Sequence, residues 1–481
     1  MRYIPTIGLE VHLQLNTQTK IFCSCRTSFG DQPNANTCPV CLGLPGALPV
    51  LNEAVILRAV QAALAINAKI HHVSRFDRKN YFYPDLPKAY QISQFNQPYC
   101  TNGEIEIFRP DGTKKIIGVT RIHMEEDAGK LMHSENPGIS ESYVDLNRAG
   151  TPLLEIVSEP QIDSAEEAVS YLDKLKSIME YIEVSDCNME QGSLRVDANV
   201  SIRPENQSSL GTRAEIKNLN SFKAVKAAIE YEIERQTELL EDNQKIIQET
   251  RLWNALSLKT VSMRSKEEAH DYRYFPDPDL VDVILTAEKI QELKSQMPEL
   301  AHQKKERYIR NFQIPEYDAD VLTADKRTAE YFENVVTAGA SPKKASNWVM
   351  AEMMAITREK FCPLEDLFPP EYLAELIHEI ESGRISGKIA KTVFQEMIES
   401  GKKPGKIIEE KGLVQIVDQN LIETLVDQVL AENAESVESF KQGKDRALGF
   451  LVGQVMAKSK GKANPPLVNK LLIEKITKTQ R

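Results

Sequence analysis

No run of eighteen apolar residues occurs anywhere in this 481-residue chain, so no membrane span is expected. The opening "MRYIPTIGLE" lacks the apolar stretch of a secretory signal, which points to the cytoplasm, or to an organelle matrix if a presequence has been removed. There is no G-x-x-x-x-G-K-[ST] loop, no G-x-G-x-x-G and no G-x-S-x-G. A P-loop, a Rossmann site and a nucleophile elbow are therefore unsupported. Any ATP chemistry would have to run on a metal-lined sheet. Positive charge is also scarce overall, with a net charge of −11 that by itself argues against a nucleic-acid binder.

The charge is unevenly spread. From Lys441 to Arg481 ten Lys or Arg face only Asp445 and Glu474, a balance of +8, which leaves −19 on the rest. An acidic body with a basic end fits a protein that grips a polyanion with one part and does other work elsewhere. Lys444, Arg446, Lys458, Lys460 and Lys462 are the candidate phosphate contacts. A solubilising helical tail is the plainer alternative.

Length and composition call for two to four domains in an ordinary globular protein. Residues 1–291 carry short alternating runs broken by Gly, Pro and Asn, with helical patterns between them, which predicts an α+β domain with long antiparallel strands. From residue 292 the apolar spacing becomes 3.6, punctuated by Pro or Gly. A further boundary in "GKKPGKIIEEKG" predicts a helical domain over 292–404 and a small helical tail over 405–481.

Seven cysteines are few, but four of them cluster. Cys23 and Cys25 form C-x-C, Cys38 and Cys41 form C-x2-C, and twelve Gly/Pro/Asn-rich residues separate the pairs. That spacing matches a structural zinc knuckle whose metal supplies stability the loop lacks. Four reduced thiols or two disulfides are the alternatives, and disulfides are disfavoured without an export signal.

The polar faces of the strands form the second constellation. In "GLEVHLQL" a period of two puts Glu10, His12 and Gln14 on one face and Leu9, Val11, Leu13 and Leu15 on the other. "RIHMEED" aligns Arg121, His123 and Glu125, and "LLEIV" offers Glu155. "SLRVDANVSIR" aligns Arg195, Asp197, Asn199 and Arg203, and "TRAEIKNL" aligns Arg213, Glu215 and Lys217. One such strand is normally just solvated; several sharing the habit imply one charged side of one sheet. Clustered carboxylates repel unless cations neutralise them, and an oxygen-rich set with one imidazole suits Mg2+. "FDRKNYFYPDLPKAYQISQFNQP" adds Lys79 and Lys88 among aromatics, which suits an anionic or polar channel.

Together "IGLEVHLQL", "FDRKNYFYPDLPKAYQISQ", "RIHMEEDAGK", "VDLNRAGTPLLEIVSEP", "GSLRVDANVSIR", "EIKNLNSF", "DYRYFPDPDL" and "GFLVGQVMAKSKGKANP" make the chain resemble, over essentially its whole length, the B subunit of the bacterial and organellar glutamyl/aspartyl-tRNA amidotransferase. Some members of that family keep the four cysteines and others do not. The resemblance implies a glutamine-synthetase-like cradle, a helical domain and a helical tail. It implies that ATP phosphorylates the side-chain carboxyl of Glu or Asp on mischarged tRNA(Gln) or tRNA(Asn), and that ammonia then displaces phosphate. It also implies a heterotrimer, with an amidase-type glutaminase A subunit supplying ammonia and a small C subunit. A non-catalytic tRNA-binding scaffold is the rival reading.

By position, Glu10, His12, Glu125 and Glu155 look like the Mg2+ and phosphate site of that family. Lys79 and Lys88 look like part of the ammonia path or acyl pocket. The strand-face argument adds Glu126, Asp197 and Asn199 as further metal candidates, and Arg195 and Lys217 as phosphate contacts.

Overall fold

The computed structural model describes residues 2–133, 141–265, 272–414, 419–459 and 462–478. It divides into two compact units, Met1–Leu300 and Ala301–Arg481. The division falls beyond residue 291 because helix Ala287–Ser295, capped by Thr286, buries Leu293 and packs on helix Glu53–Ala65 of the first unit.

Among the described residues a nine-stranded sheet organises the first unit. Its order from edge to edge is Lys259–Ser265, Glu249–Asn254, Ala214–Leu219, Leu194–Pro204, Tyr3–Gln14, Pro152–Ser158, Lys114–Glu126, Cys100–Phe108 and Lys69–Ile70. All neighbours are antiparallel except Ala214–Leu219 with Glu249–Asn254. Tyr3–Gln14 is the central strand, and its alternation decides its two faces. Ile7, Leu9, Val11 and Leu13 are buried, whereas Glu10, His12 and Gln14 are half-buried on the other side.

Helices Ala165–Tyr181 and Phe222–Glu241 pack on each other and on this sheet. They bury Tyr171, Leu172 and Leu175 from one and Val225, Ala228 and Ile229 from the other. Each starts where a serine caps it: Ser164 Oγ accepts from Glu167 N at 3.1 Å, and Ser221 Oγ accepts from Ala224 N at 3.1 Å. Glu167, three residues after the cap, reaches back past it, accepting from Asp163 N at 3.0 Å and from Lys115 Nζ at 2.7 Å. Burial would raise the Glu167 carboxyl, but Lys115, the Asp163 amide and Arg109 outweigh it and hold it below its ordinary value. Glu167→Ala is expected to lower unfolding stability by about 2 kcal/mol at neutral pH. A depressed carboxyl stabilises above the unfolded pKa, so the deficit should shrink as pH falls below ~4.3. Urea titrations at pH 7 and at acid pH check both.

A small sheet of Phe275–Pro276, Asp77–Asn80 and Tyr90–Ser93 stands beside the Lys114–Glu126 strand and carries Lys79. The second unit is helical among its described residues and holds two separate cores, one drawn from 308–408 and one from 422–476. The chain is therefore a large mixed sheet with helices, followed by a helical region, as the change of period predicts. No helix among the described residues is long and apolar enough to cross a membrane.

Candidate active site: a carboxylate and imidazole face

Antiparallel register places directly opposed residues on one face, so it turns four separate strands into rows. His123, Glu155, His12 and Arg195 lie in one row. Arg121, Val157, Glu10 and Asp197 form the next. His123 Nε2 is 2.9 Å from Glu155 Oε2 and 3.7 Å from Glu125 Oε2. His12 Nε2 stands 3.7 Å from Glu155 and 3.9 Å from Glu125. Ligand atoms of His12, Glu125 and Glu155 all lie within 4.8 Å of one another, a spacing that one cation could bridge.

The electrostatics are those of a paired cluster. Burial would lower the His123 imidazole, but Glu155 and Glu125 overcome it and push it up to about 9. Burial would raise Glu155; His123, His12 and Lys79 instead hold it well below the usual carboxylate range. Lys79 is also raised: burial opposes its charge, and Glu125, Tyr274 and Glu155 outweigh that. Its Nζ sits 5.0 Å above the Tyr272 ring. Lys79 thus joins the cluster from the small sheet.

Next to it lies a second group, Glu10, Asp197 and Glu215, again with ligand oxygens within 4.8 Å. Asn199 Nδ2 donates to Glu10 Oε1 at 2.9 Å, and Lys217 pairs with Asp197 and, at 3.0 Å, with Glu215. Burial, then Glu155, Glu215 and Asp197, raise the Glu10 carboxyl despite the Asn199 hydrogen bond. Negative charge exceeds its local compensation there, which favours a cation. A cavity of about 480 Å3 opens beside Glu10, lined also by Asn199, Ser158, Gly211 and Arg213.

Several expected residues stand elsewhere. Glu126 lies one residue out of phase with Glu125. It joins neither carboxylate group; its Oε1 pairs with Lys88 and accepts from Ile92 N at 2.9 Å. Arg195 reaches Asp127 at 2.8 Å, where Gln14 Nε2 also donates at 2.8 Å. His123 and Glu215 stand on the alternating polar faces, a signal that could have given them the roles their geometry now gives. Asp127 sits just past a strand end, where alternation says nothing.

The four cysteines do converge, with sulfurs within 4.8 Å of one another. Cys38 N donates to Cys41 Sγ at 3.1 Å. A hydrogen bond from Cys23 pulls Cys41 down to about 4 against burial, helped by the Cys38 amide and the Lys20 ammonium. The hydrogen bond to Cys41 and burial push the Cys23 thiol up, and burial and the Cys38 hydrogen bond push Cys25 up to about 11. One thiolate is thus shared within the group, and four converging sulfurs still fit a metal by their donor set. In the helical unit Lys444 and Arg446 are exposed, while Lys458 is paired with Glu432. Lys462 is half-buried, and Lys460 lies outside the described residues.

Comparison with known proteins agrees with this layout. A family model described as the GatB/GatE catalytic domain matches residues 5–291, and one described as the GatB domain matches residues 330–476. The aspartyl/glutamyl-tRNA(Asn/Gln) amidotransferase B subunit of Thermoanaerobacter pseudethanolicus is 55% identical over 479 residues, covering 99% of this chain and 100% of that one. The protein of the same name from Geotalea daltonii is 56% identical over 478 residues, with the same coverage. That from Geobacter sulfurreducens is 55% identical over 482 residues, again spanning 99% and 100%. With the sheet unit and most of the helical unit matched in order, and relatives alike from end to end, this chain belongs to the B-subunit family of the aspartyl/glutamyl-tRNA(Asn/Gln) amidotransferases.

Proposed function

We propose that this chain amidates mischarged tRNA, converting Glu-tRNA(Gln) or Asp-tRNA(Asn) to Gln-tRNA(Gln) or Asn-tRNA(Asn) at the expense of ATP. The observation that carries the reading is the pair of adjoining carboxylate groups on central strands, one with two imidazoles and Lys79 beside it. A protein that only bound tRNA would have no use for so many partly buried carboxylates. The printed names of the full-length relatives support the same activity.

A side-chain carboxylate is a poor electrophile because oxide would have to leave. Attack of its oxygen on the γ-phosphorus of ATP releases ADP and gives an acyl phosphate. Ammonia then attacks the acyl carbon, loses a proton, and expels inorganic phosphate. Glu10, His12, Glu125 and Glu155 would hold Mg2+, with Asp197 and Asn199 beside them. Bound there, Mg2+ would neutralise charge on the nucleotide phosphates. Lys217, now paired with Asp197 and Glu215, would turn to phosphate oxygens, as would Arg195 if it left Asp127, and Lys79 would face the acyl carboxylate. The cavity beside Glu10 lies within the usual size range of small-ligand sites, ~300–1,000 Å3, and suits the nucleotide. Ammonia would come from an amidase-type A subunit, in a heterotrimer completed by a small C subunit. Within this reading the sheet unit is the cradle, and residues 405–481 are the tRNA-binding tail.

The test is ATP turnover by the assembled complex on adding Mg2+ and mischarged tRNA. Turnover with amide formation supports the reading. Tight tRNA binding with no ATP turnover would leave only a scaffold.

Zinc is expected at Cys23, Cys25, Cys38 and Cys41, one per chain, with Zn–S of ~2.3 Å. Metal analysis of protein purified without chelator checks this, and Cys38→Ser should lose the metal and lower the melting temperature. A metal-free or disulfide-bonded tetrad would refute it. Deleting residues 405–481 should weaken tRNA binding and flatten its salt dependence by about one unit for each phosphate no longer neutralised. Titrations at two salt concentrations measure this, and an unchanged slope would return the tail to a solubilising role.

A further inference from the structure

We propose that the four-cysteine loop is a positioning element for Lys88, holding its ammonium against Glu126. Gly43, two residues past Cys41, lies flat on the lysine stem. A Cβ added there would come 2.5 Å from Lys88 Cγ, closer than packing allows, and 3.1 Å from Lys88 Cα, a tight contact. The loop reaches that point as one short turn. Leu42 N donates to Cys38 O at 3.0 Å, Gly43 N to Val40 O at 3.0 Å, and Leu44 N to Pro39 O at 2.9 Å.

The back of the loop is anchored to the segment that leads to Gly150. Lys20 is fully buried, and its Nζ donates to Asn36 O at 2.7 Å and Leu146 O at 3.4 Å. Asn147 Oδ1 accepts from Asn36 N at 2.8 Å, and its Nδ2 donates to Gln32 O at 2.7 Å. Gly150 fills the remaining gap: a Cβ there would lie 3.7 Å from Cys41 Cβ and 3.9 Å from Glu126 Oε2. The cysteine turn therefore lies against Lys88 through Gly43, and Gly150 stands between Cys41 and the Glu126 carboxylate.

The pair needs such support. Both side chains are buried, with 9% and 3% exposure, and a lysine has four rotors to fix before its ammonium stays on one carboxylate. Tyr90, 5.3 Å from Nζ, covers one side, and the glycine wall restrains the stem. Loss of order in the cysteine loop is then felt at Lys88. If Lys88 lines the acyl pocket or ammonia path of the proposed amidation, as the family resemblance implies, it is felt in the reaction too.

The experiment is acetylation of lysines in the full chain, with the Lys88 peptide quantified by mass spectrometry. Gly43→Ala adds the clash together with the strain of an alanine at φ +67°. Gly46→Ala carries the same kind of strain, at φ +82°, in the same loop with nothing within 4 Å, and serves as its control. Lys88 labelling is expected to rise at least ~10-fold in Gly43→Ala and to stay near the parent rate in Gly46→Ala, as for a local opening. Asn147→Ala, which cuts the rear anchor, should raise it as well and serves if Gly43→Ala does not fold. Equal labelling in Gly43→Ala and Gly46→Ala, or Lys88 protection unchanged in Asn147→Ala, would overturn the proposal. Amidation by the complex is measured alongside. Gly43→Ala should slow it in the parent but add nothing in a Lys88→Met background. The labelling result does not depend on what reaction the chain catalyses, so the two readings fail separately.

Discussion

Glu10→Gln is expected to slow ATP-dependent activation of the acyl group at least ~100-fold, with fold and tRNA affinity retained. The substitution keeps size and leaves the buried face of the strand, Ile7, Leu9, Val11 and Leu13, untouched. Its amide oxygen can still accept from Asn199. What changes is one negative charge in a group where burial and three carboxylates already raise the Glu10 pKa. Less charge means weaker hold on a divalent cation, and most of the barrier in phosphoryl transfer is lowered by positioning and charge stabilisation. The apparent requirement for Mg2+ should therefore rise as the maximal rate falls. Glutamine hydrolysis by the partner can persist where it is not coupled to activation. An assembled Gln variant that amidates at near the parent rate would remove Glu10 from the machinery.

Much of this site was legible because strands have a period of two. Alternation alone put Glu10 with His12, and Asp197 with Asn199, on faces opposite buried Leu, Val and Ala. It could not show which strands are neighbours. The row His123–Glu155–His12–Arg195 exists because the 152–158 strand inserts between the first strand and the 114–126 strand, and that depends on residues more than a hundred positions apart. Nor does alternation report partners brought in by another sheet. Glu126 looked like a second ligand next to Glu125, yet the neighbouring residue of a strand points the other way, where Lys88 and Ile92 take it. The basic tail was readable as composition, but Lys458 is matched by Glu432 from a different helix. In the other direction, the C-x-C and C-x2-C spacing foretold that four sulfurs come together, while the close approach of Gly43 in the same loop to Lys88 left no mark in the spacing.

Glu155→Gln should be the most damaging single change, because Glu155 touches both imidazoles and faces Lys79. Activity should fall by ~1,000-fold, the upper end for losing one charged group of an electrostatic site. Stability should fall as well, by about 3 kcal/mol, since buried His123 would lose its nearer counter-charge and keep only Glu125, 3.7 Å away. The pH dependence separates this from a packing defect. His123 is raised from 6.5 to about 9 in the fold, so its share of the stabilisation is complete below 6.5 and lost as pH rises through 9. Glu155 is depressed from 4.5, so its share is complete above 4.5 and lost as pH falls toward its folded value. The gap in stability between parent and variant should therefore be widest between pH 4.5 and 6.5 and narrow on the alkaline side as pH rises toward 9, leaving only the share Glu155 owes to Lys79 and His12. Urea unfolding of both proteins across that range, in chelator so that no divalent cation competes for the carboxylates, measures it. A gap that stays constant from pH 5 to 10 would mean that the glutamine merely packs badly and that the His123–Glu155 charge pair contributes nothing.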